Sequence, residues 1–319
     1  MIQEKLKKHK ELILTSFLVF GPLLILAVIF LSANHSLKKS ASVEPTEVLV
    51  KINPFDSVQI IGRSAYIKNL TTGEILYSKN ENQKLALASL TKLMTVLAAQ
   101  EILDDQKTIT INARDLRTEG DTALLLNEQF NLKDLIDFTL VGSSNDGAAA
   151  LAFSAGSILK KQAPKNIDDT DLFISYMNIL AQKIGLENTT FSNETGLDTN
   201  EEVASAYGSA KDVAKLFEYV LKNEPSLLEA TSKDHVGIIS KNGFSHQIQN
   251  TNEIVNSLPN ILGSKTGFTD IAGGNLSVII DPGLNNPISI TVLGSTKDGR
   301  FQDVTKLADT TLEYLQTFE

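Results

Sequence analysis

The 319-residue chain contains no cysteine. That excludes disulfides, thiolate catalysis and cysteine-ligated metal centres. Histidine is scarce as well: His9, His35, His235 and His246 are the only four, and their positions show no metal-ligand spacing. Neither a metal nor a cofactor is expected. Positive charge is in short supply, with a net charge of −9. Residues 1–47 hold six lysines and four glutamates, a balance of +2, so the remainder carries −11. Such an acidic body argues against a nucleic-acid partner, because phosphate neutralisation supplies most of that affinity. No Gly-x-Ser-x-Gly elbow accompanies the histidines, which leaves a Ser-His-Asp hydrolase using His235 or His246 without support.

Charge of either sign is missing from the 22 positions between Leu12 and Ala33. About 20 apolar residues suffice to span a bilayer as a helix, whereas a cleaved signal peptide has an apolar core of only ~7–15. An uncleaved signal anchor is expected. Lys5, Lys7, Lys8 and Lys10 precede the stretch and only Lys38 and Lys39 follow closely, so the positive-inside rule places the N-terminus in the cytoplasm and the rest outside. Residues 34–52 are polar, contain Pro45 and lack periodicity. The expected organisation is a cytoplasmic tail (1–11), a single transmembrane anchor (12–33), a linker (34–52) and one extracytoplasmic domain (53–319).

Within that domain, β-branched residues at 57–67 predict a strand, and Thr72-Gly73 predicts a turn into an antiparallel partner at 74–78. Apolar residues at helical spacing predict helices at 90–102, 132–141, 147–159, 172–184 and 210–221, with Gly142 and Gly185 as stop signals. Strand character returns at 275–280 and 288–293, before a last helix at about 301–314. Strands at both ends with helices between them imply a mixed α/β domain. Its terminal segments form one antiparallel sheet and its middle forms a helical lobe.

What is present in the way of chemistry is three short motifs in order: Ser89-Leu90-Thr91-Lys92, Ser143-Ser144-Asn145 and Lys265-Thr266-Gly267. Singly they mean little, since Ser-x-x-Lys occurs three times and Ser-x-Asn four times; Lys-Thr-Gly occurs once. Ser89 alone reads as a helix N-cap, and Gly142-Ser143-Ser144-Asn145-Asp146 as turn composition. Together they describe the active site of penicillin-interacting serine acyl-transfer enzymes. Ser89 and Lys92 share a helix face one turn apart. A serine hydroxyl needs a base to take its proton, and a lysine serves when burial or a second cation lowers its pKa. Leu90, Leu93 and Met94 offer apolar cover, and Lys265 offers the second charge. Ser143 can relay a proton to the leaving group, while Asn145 holds substrate or orients Lys92. Lys265, Thr266, Gly267 and Phe268 suit a strand edge that presents charge, a hydroxyl and backbone to an extended peptide. The amides of Ser89 and Phe268 are the candidate oxyanion hole.

Over nearly all of residues 53–318 the sequence resembles the D-alanyl-D-alanine carboxypeptidases, the low-molecular-mass penicillin-binding proteins. Ala88-Ser89-Leu90-Thr91-Lys92-Leu93-Met94-Thr95 is similar to the family's nucleophile segment, and Gly120-Asp121-Thr122-Ala123-Leu124 to its loop before the second motif. Phe191-Ser192-Asn193-Glu194-Thr195-Gly196-Leu197, Asn250-Thr251-Asn252 and Lys265-Thr266-Gly267-Phe268-Thr269-Asp270 match further segments. The resemblance implies a β-lactamase/transpeptidase-like fold and a peptidoglycan stem peptide ending in D-Ala-D-Ala as substrate. It implies Ser89 as nucleophile, Lys92 as base, and β-lactams that acylate the same serine. Some relatives place an arginine shortly before Asn-Thr-Asn for the substrate carboxylate. Here that stretch reads Gly243-Phe244-Ser245-His246-Gln247, with none of Arg63, Arg114, Arg117 and Arg300 near it.

Three neighbouring readings differ in one feature each. A D,D-endopeptidase uses the same chemistry on a longer substrate. A class A β-lactamase adds a Glu-x-x-Leu-Asn, of which Glu194-Thr195-Gly196-Leu197-Asp198 is a near miss. A catalytically silent, membrane-tethered wall-binding protein would lack a motif residue, and all are present.

Overall fold

The computed structural model describes residues 2–38, 52–120, 123–283 and 285–318, in two compact units, 1–51 and 52–319. The first contains one helix, α1 (Ile2–Lys38), which continues through Pro22. Among the described residues no helix is long and apolar enough to cross a membrane. The expected span at 12–33 is therefore helical without being shown to be transmembrane. Most of the expected linker, residues 39–51, lies outside the described residues.

In the second unit a 3-10 turn (Pro54–Ser57) precedes the hairpin of β1 (Ser64–Asn69) and β2 (Ile75–Lys79). Then β3 (Leu85–Ala86) leads through a 3-10 turn (Ala88–Leu90) into α2 (Thr91–Ile102). There follow β4 (Thr108–Thr110), β5 (Gln129–Asn131), α3 (Leu132–Val141), α4 (Asn145–Leu159), α5 (Asp169–Ile184), β6 (Thr190–Phe191), β7 (Ala206–Gly208), α6 (Ala210–Asn223) and α7 (Ser226–Glu229). The chain ends with β8 (His235–Ile239), β9 (Ser245–Gln249), β10 (Ile261–Thr269), β11 (Gly273–Ile280), β12 (Ile288–Ser295) and α8 (Gly299–Phe318).

The terminal segments do form one antiparallel sheet, ordered β10-β11-β12-β1-β2. Its register pairs Ile67 with Ile290 and Thr266 with Leu276. Alternation sends Ala65, Ile67, Leu276, Val278, Ile290 and Val292 to one face, against Phe301, Val304 and Leu307 of α8. Tyr66, Ile279 and Leu293 face the helical lobe instead. Each fully buried Ile, Val or Leu contributes about 1.5–3 kcal/mol over exposure. Covered on both faces, β11 and β12 read in sequence as nearly unbroken apolar runs. From Thr91 to Ala99 every residue of α2 is buried; it is the central helix of the lobe.

The expected strand at 57–67 begins only at Ser64. Val58 is extended, but the Ile61 and Gly62 amides donate to the Asp303 carboxylate on α8, each at 2.8 Å. Those amides are thereby withdrawn from any ladder.

Candidate active site

Ser89 sits in a turn that the backbone does not adopt for its own sake. Ala88 has φ of +49°, a left-handed conformation that costs energy without glycine and persists only when its surroundings over-determine it. Here they do. Thr91 Oγ1 donates to the Ala88 carbonyl at 2.7 Å. Asn275 Nδ2, fully buried on β11, donates to the carbonyls of Ala86 (2.9 Å) and Leu87 (3.0 Å), and its Oδ1 accepts from the Gly294 amide at 2.8 Å. Gly267 is pressed against the same turn: a Cβ there would lie 2.7 Å from the Leu87 carbonyl oxygen and 3.2 Å from the Ser89 amide nitrogen. The turn leaves Ser89 partly exposed between buried Ala88 and Leu90.

One helical turn on, Lys92 is fully buried. Its Nζ lies 2.8 Å from Ser89 Oγ and donates to the Thr195 carbonyl at 2.8 Å. Burial pulls its pKa down to about 7, against the opposing effect of the Glu194 carboxylate. Glu194, itself largely buried, has its pKa raised by desolvation. Near neutrality a substantial fraction of Lys92 is thus a free amine within reach of the serine proton.

Ser143 occupies the junction between α3 and α4 with φ of +57°. Gly142 ends α3, and Ser144 caps α4 by accepting from the Gly147 amide at 2.9 Å. Lys265 Nζ donates to Ser143 Oγ at 2.9 Å and to the Thr266 carbonyl at 3.0 Å. Burial pushes Lys265 well below the ordinary lysine range, and the Lys92 and Arg300 cations push it further. The second cation expected to depress Lys92 is thus itself depressed by Lys92. Thr266 Oγ1 lies 2.6 Å from Thr251 Oγ1, and Phe268 is exposed on the edge strand β10.

Asn145 departs from expectation in part. Its Nδ2 donates to the Glu119 carbonyl at 2.6 Å, and its buried Oδ1 has no partner among the described residues. It forms no hydrogen bond with Lys92, because the Thr195 carbonyl has taken that role. The residues singled out from the three motifs otherwise converge: two buried amines, two hydroxyls and an edge strand around one serine.

A model of the D-alanyl-D-alanine carboxypeptidase family matches residues 51–296. The chain belongs to that family. It is 31% identical over 264 residues to the D-alanyl-D-alanine carboxypeptidase DacF of Bacillus subtilis, covering 80% of this chain but only 63% of that protein. It is 28% identical over 295 residues to a D-alanyl-D-alanine endopeptidase of Pseudomonas aeruginosa, covering 89% of this chain and 86% of that protein. The ampicillin-bound penicillin-binding protein D2 of Listeria monocytogenes shares the mixed α/β, transpeptidase-like fold, with a TM-score of 0.66 at 27% identity over 80% of this chain and 99% of that one.

Sequence reading gave Arg300 no role. Arg300 lies far from Asn-Thr-Asn in the chain, yet its Nη1 donates to the Gly267 carbonyl at 2.9 Å from the buried start of α8. In the stretch before Asn250, His246 turns away to Glu128, with 2.6 Å between Nε2 and Oε1, and packs on Phe130 and Phe138. Thr195, Asn275 and Thr251 were likewise not given roles. Thr195 accepts from Lys92 through its own backbone carbonyl, and Asn275 donates to the Ala86 and Leu87 carbonyls; each contact spans more than 100 positions, and no local pattern marks it. Of the family-like loop at 120–124, Asp121 and Thr122 lie outside the described residues.

Proposed function

We propose that this chain is a serine-type D-Ala-D-Ala carboxypeptidase acting on peptidoglycan stem peptides. The observation that carries the reading is the fully buried Lys92, with its lowered pKa, 2.8 Å from Ser89 Oγ. Ser89 Oγ attacks the carbonyl carbon of the penultimate D-alanine as its proton passes to the free Lys92 amine. The oxyanion is held by the amides of Ser89 and Phe268; support comes from Gly267, the residue before Phe268, which lies against the nucleophile turn. The C–N bond breaks, the leaving D-alanine takes a proton through Ser143, and an ester on Ser89 remains. Water then attacks that ester, giving its proton to Lys92, and Ser89 is restored. Thr266 and Lys265 receive the substrate carboxylate, whose negative charge favours the ammonium form of Lys265. Asn145 holds the substrate amide. β-Lactams acylate the same serine and persist, because their ring-opened product stays in place.

The domain is carried outside the membrane by the N-terminal segment, a single-pass signal anchor at 12–33 with the tail 1–11 in the cytoplasm. Support comes from the absence of charge between Leu12 and Ala33, the basic residues before it, and the exposure of Leu23, Leu24, Ile25, Leu26, Val28, Ile29, Phe30 and Leu31 on α1.

A second reading is a D,D-endopeptidase, because the chain is also similar to the Pseudomonas endopeptidase, at 28% identity over 295 residues. The two are separated by incubating the protein with a stem pentapeptide and with a cross-linked muropeptide dimer. Release of free D-alanine from the pentapeptide is expected. Cleavage of the dimer alone would replace the carboxypeptidase reading by the endopeptidase one, and cleavage of neither would end both.

A further inference from the structure

Alternation along β1 turns Tyr66 toward the helical lobe, with Lys68 two residues on at the same face. Opposite them α6 presents Lys211, Lys215, Tyr219 and Lys222, which fall on one stripe at i, i+4, i+8 and i+11. The two elements enclose a cleft of about 520 Å³, a size within the usual range for ligand sites of ~300–1,000 Å³.

Two of the four lysines are committed. Lys68 pairs with Glu218 at 2.7 Å, and Lys215 donates to the Gly185 carbonyl at 2.9 Å. Lys211 and Lys222 line the cleft with no carboxylate partner among the described residues. Tyr66 supplies the independent sign of a ligand. It is only 4% exposed, it lines the cleft, and its hydroxyl has no hydrogen-bond partner among the described residues. Burial raises its pKa, with Glu218 and Glu81 adding to the effect, so the hydroxyl keeps its proton and remains a donor. An accessible hydroxyl donor on an otherwise buried side chain and two uncommitted ammonium groups call for an acceptor of negative charge. They do so on a body whose overall charge is strongly negative.

The donor set also narrows the ligand. No arginine lines the cleft; arginine's planar fork is the usual partner of bidentate carboxylates, while lysine binds phosphate as a point charge. Lys211 and Lys222 are 11 residues apart on one helix, roughly 16 Å at 1.5 Å per residue. A ligand with two phosphate groups reaches both without drawing the two long side chains together. We propose that the cleft between β1 and α6 binds a linear ligand carrying two or more phosphate groups. This site is independent of the Ser89 centre.

The test is calorimetric titration of the purified full chain with short-chain linear polyphosphate at low salt, with short-chain polyglutamate as the carboxylate counterpart. Saturable binding of polyphosphate is expected, weakened at least about tenfold in the double variant Lys211→Gln/Lys222→Gln and severalfold in Tyr66→Phe. Penicillin acylation, measured in parallel, stays at the wild-type rate in both variants and shows that they are folded. Absence of saturable binding, or equal affinity in the double variant, would overturn the site. Polyglutamate binding as tightly as polyphosphate would overturn its assignment to phosphate.

Discussion

Lys265 Nζ donates to Ser143 Oγ across 2.9 Å, joining the strand of the third motif to the helix junction of the second. Lys92 is buried close enough for its charge to lower the pKa of Lys265, so two amines share one desolvated site. Like charges so placed cannot both be protonated without cost. A substrate carboxylate arriving at Lys265 relieves that cost. Binding of an anionic peptide at pH 8 is therefore expected to take up protons. Titration calorimetry in two buffers of different ionisation enthalpy measures this uptake, and a result independent of buffer would contradict it.

The rate of acylation follows the free-amine form of Lys92. With its pKa at about 7, the second-order rate constant for a β-lactam should be low in acid, rise through pH 7 and level off above about pH 8. A stopped-flow profile over pH 5.5–9 measures this. A rate independent of pH across neutrality would remove Lys92 as the base.

The same lowered pKa has a consequence for stability. Between pH 7 and 10.5 the unfolded chain binds a proton at Lys92 that the folded chain does not. Stability therefore rises with pH through that window, and below it the full cost of the buried ammonium, about 5 kcal/mol, is present. Lys92→Met removes this cost but leaves the Thr195 carbonyl without its donor, a loss of about 1–3 kcal/mol. The balance predicts an inactive variant about 2–4 kcal/mol more stable than wild type at pH 7, with a flatter dependence on pH. Urea denaturation at pH 7 and pH 9 checks both.

The most legible parts of the site were those in which residue type and short-range spacing carry the chemistry. Ser89 and Lys92 are one helical turn apart, and helix α2 could be read from its apolar periodicity. Ser143 and Lys265 were recognisable only because their motifs occur in order. Asn275, Thr195 and Arg300 were not legible: Asn275 and Arg300 donate to backbone carbonyls and Thr195 offers its own carbonyl to Lys92, contacts that no periodic signature marks. The strand expected at 57–67 failed for a related reason. Val58, Ile60 and Ile61 favour extended backbone, but the hydrogen bonds of an extended segment are decided by its neighbours, and Asp303 on α8 took two of them.

Asn275 makes the strongest prediction among the residues that sequence reading passed over. Asn275→Leu leaves the Ala86 and Leu87 carbonyls buried without their donor and should cost about 2–4 kcal/mol. It should also let the left-handed Ala88 turn relax, slowing penicillin acylation at least about tenfold, since small misplacements of a nucleophile are costly. A loss of stability with an unchanged acylation rate would show that the turn holds itself.

Arg300→Met tests the link from α8 to the edge strand. The Gly267 carbonyl loses its donor, and the cation that helps to depress Lys265 disappears. Acylation is expected to fall about tenfold or more, with Lys265 titrating at a higher pH than in the wild type.

The central claim is that Ser89 becomes acylated with Lys92 as its base. Mass spectrometry of the full chain after incubation with penicillin at pH 7.5, beside Ser89→Ala and Lys92→Met, tests it most directly. The account predicts one covalent adduct on the peptide containing Ser89, stable over the time of the assay, absent in Ser89→Ala and strongly slowed in Lys92→Met. An unmodified wild-type protein that is demonstrably folded, or an adduct that persists in Ser89→Ala, would contradict it.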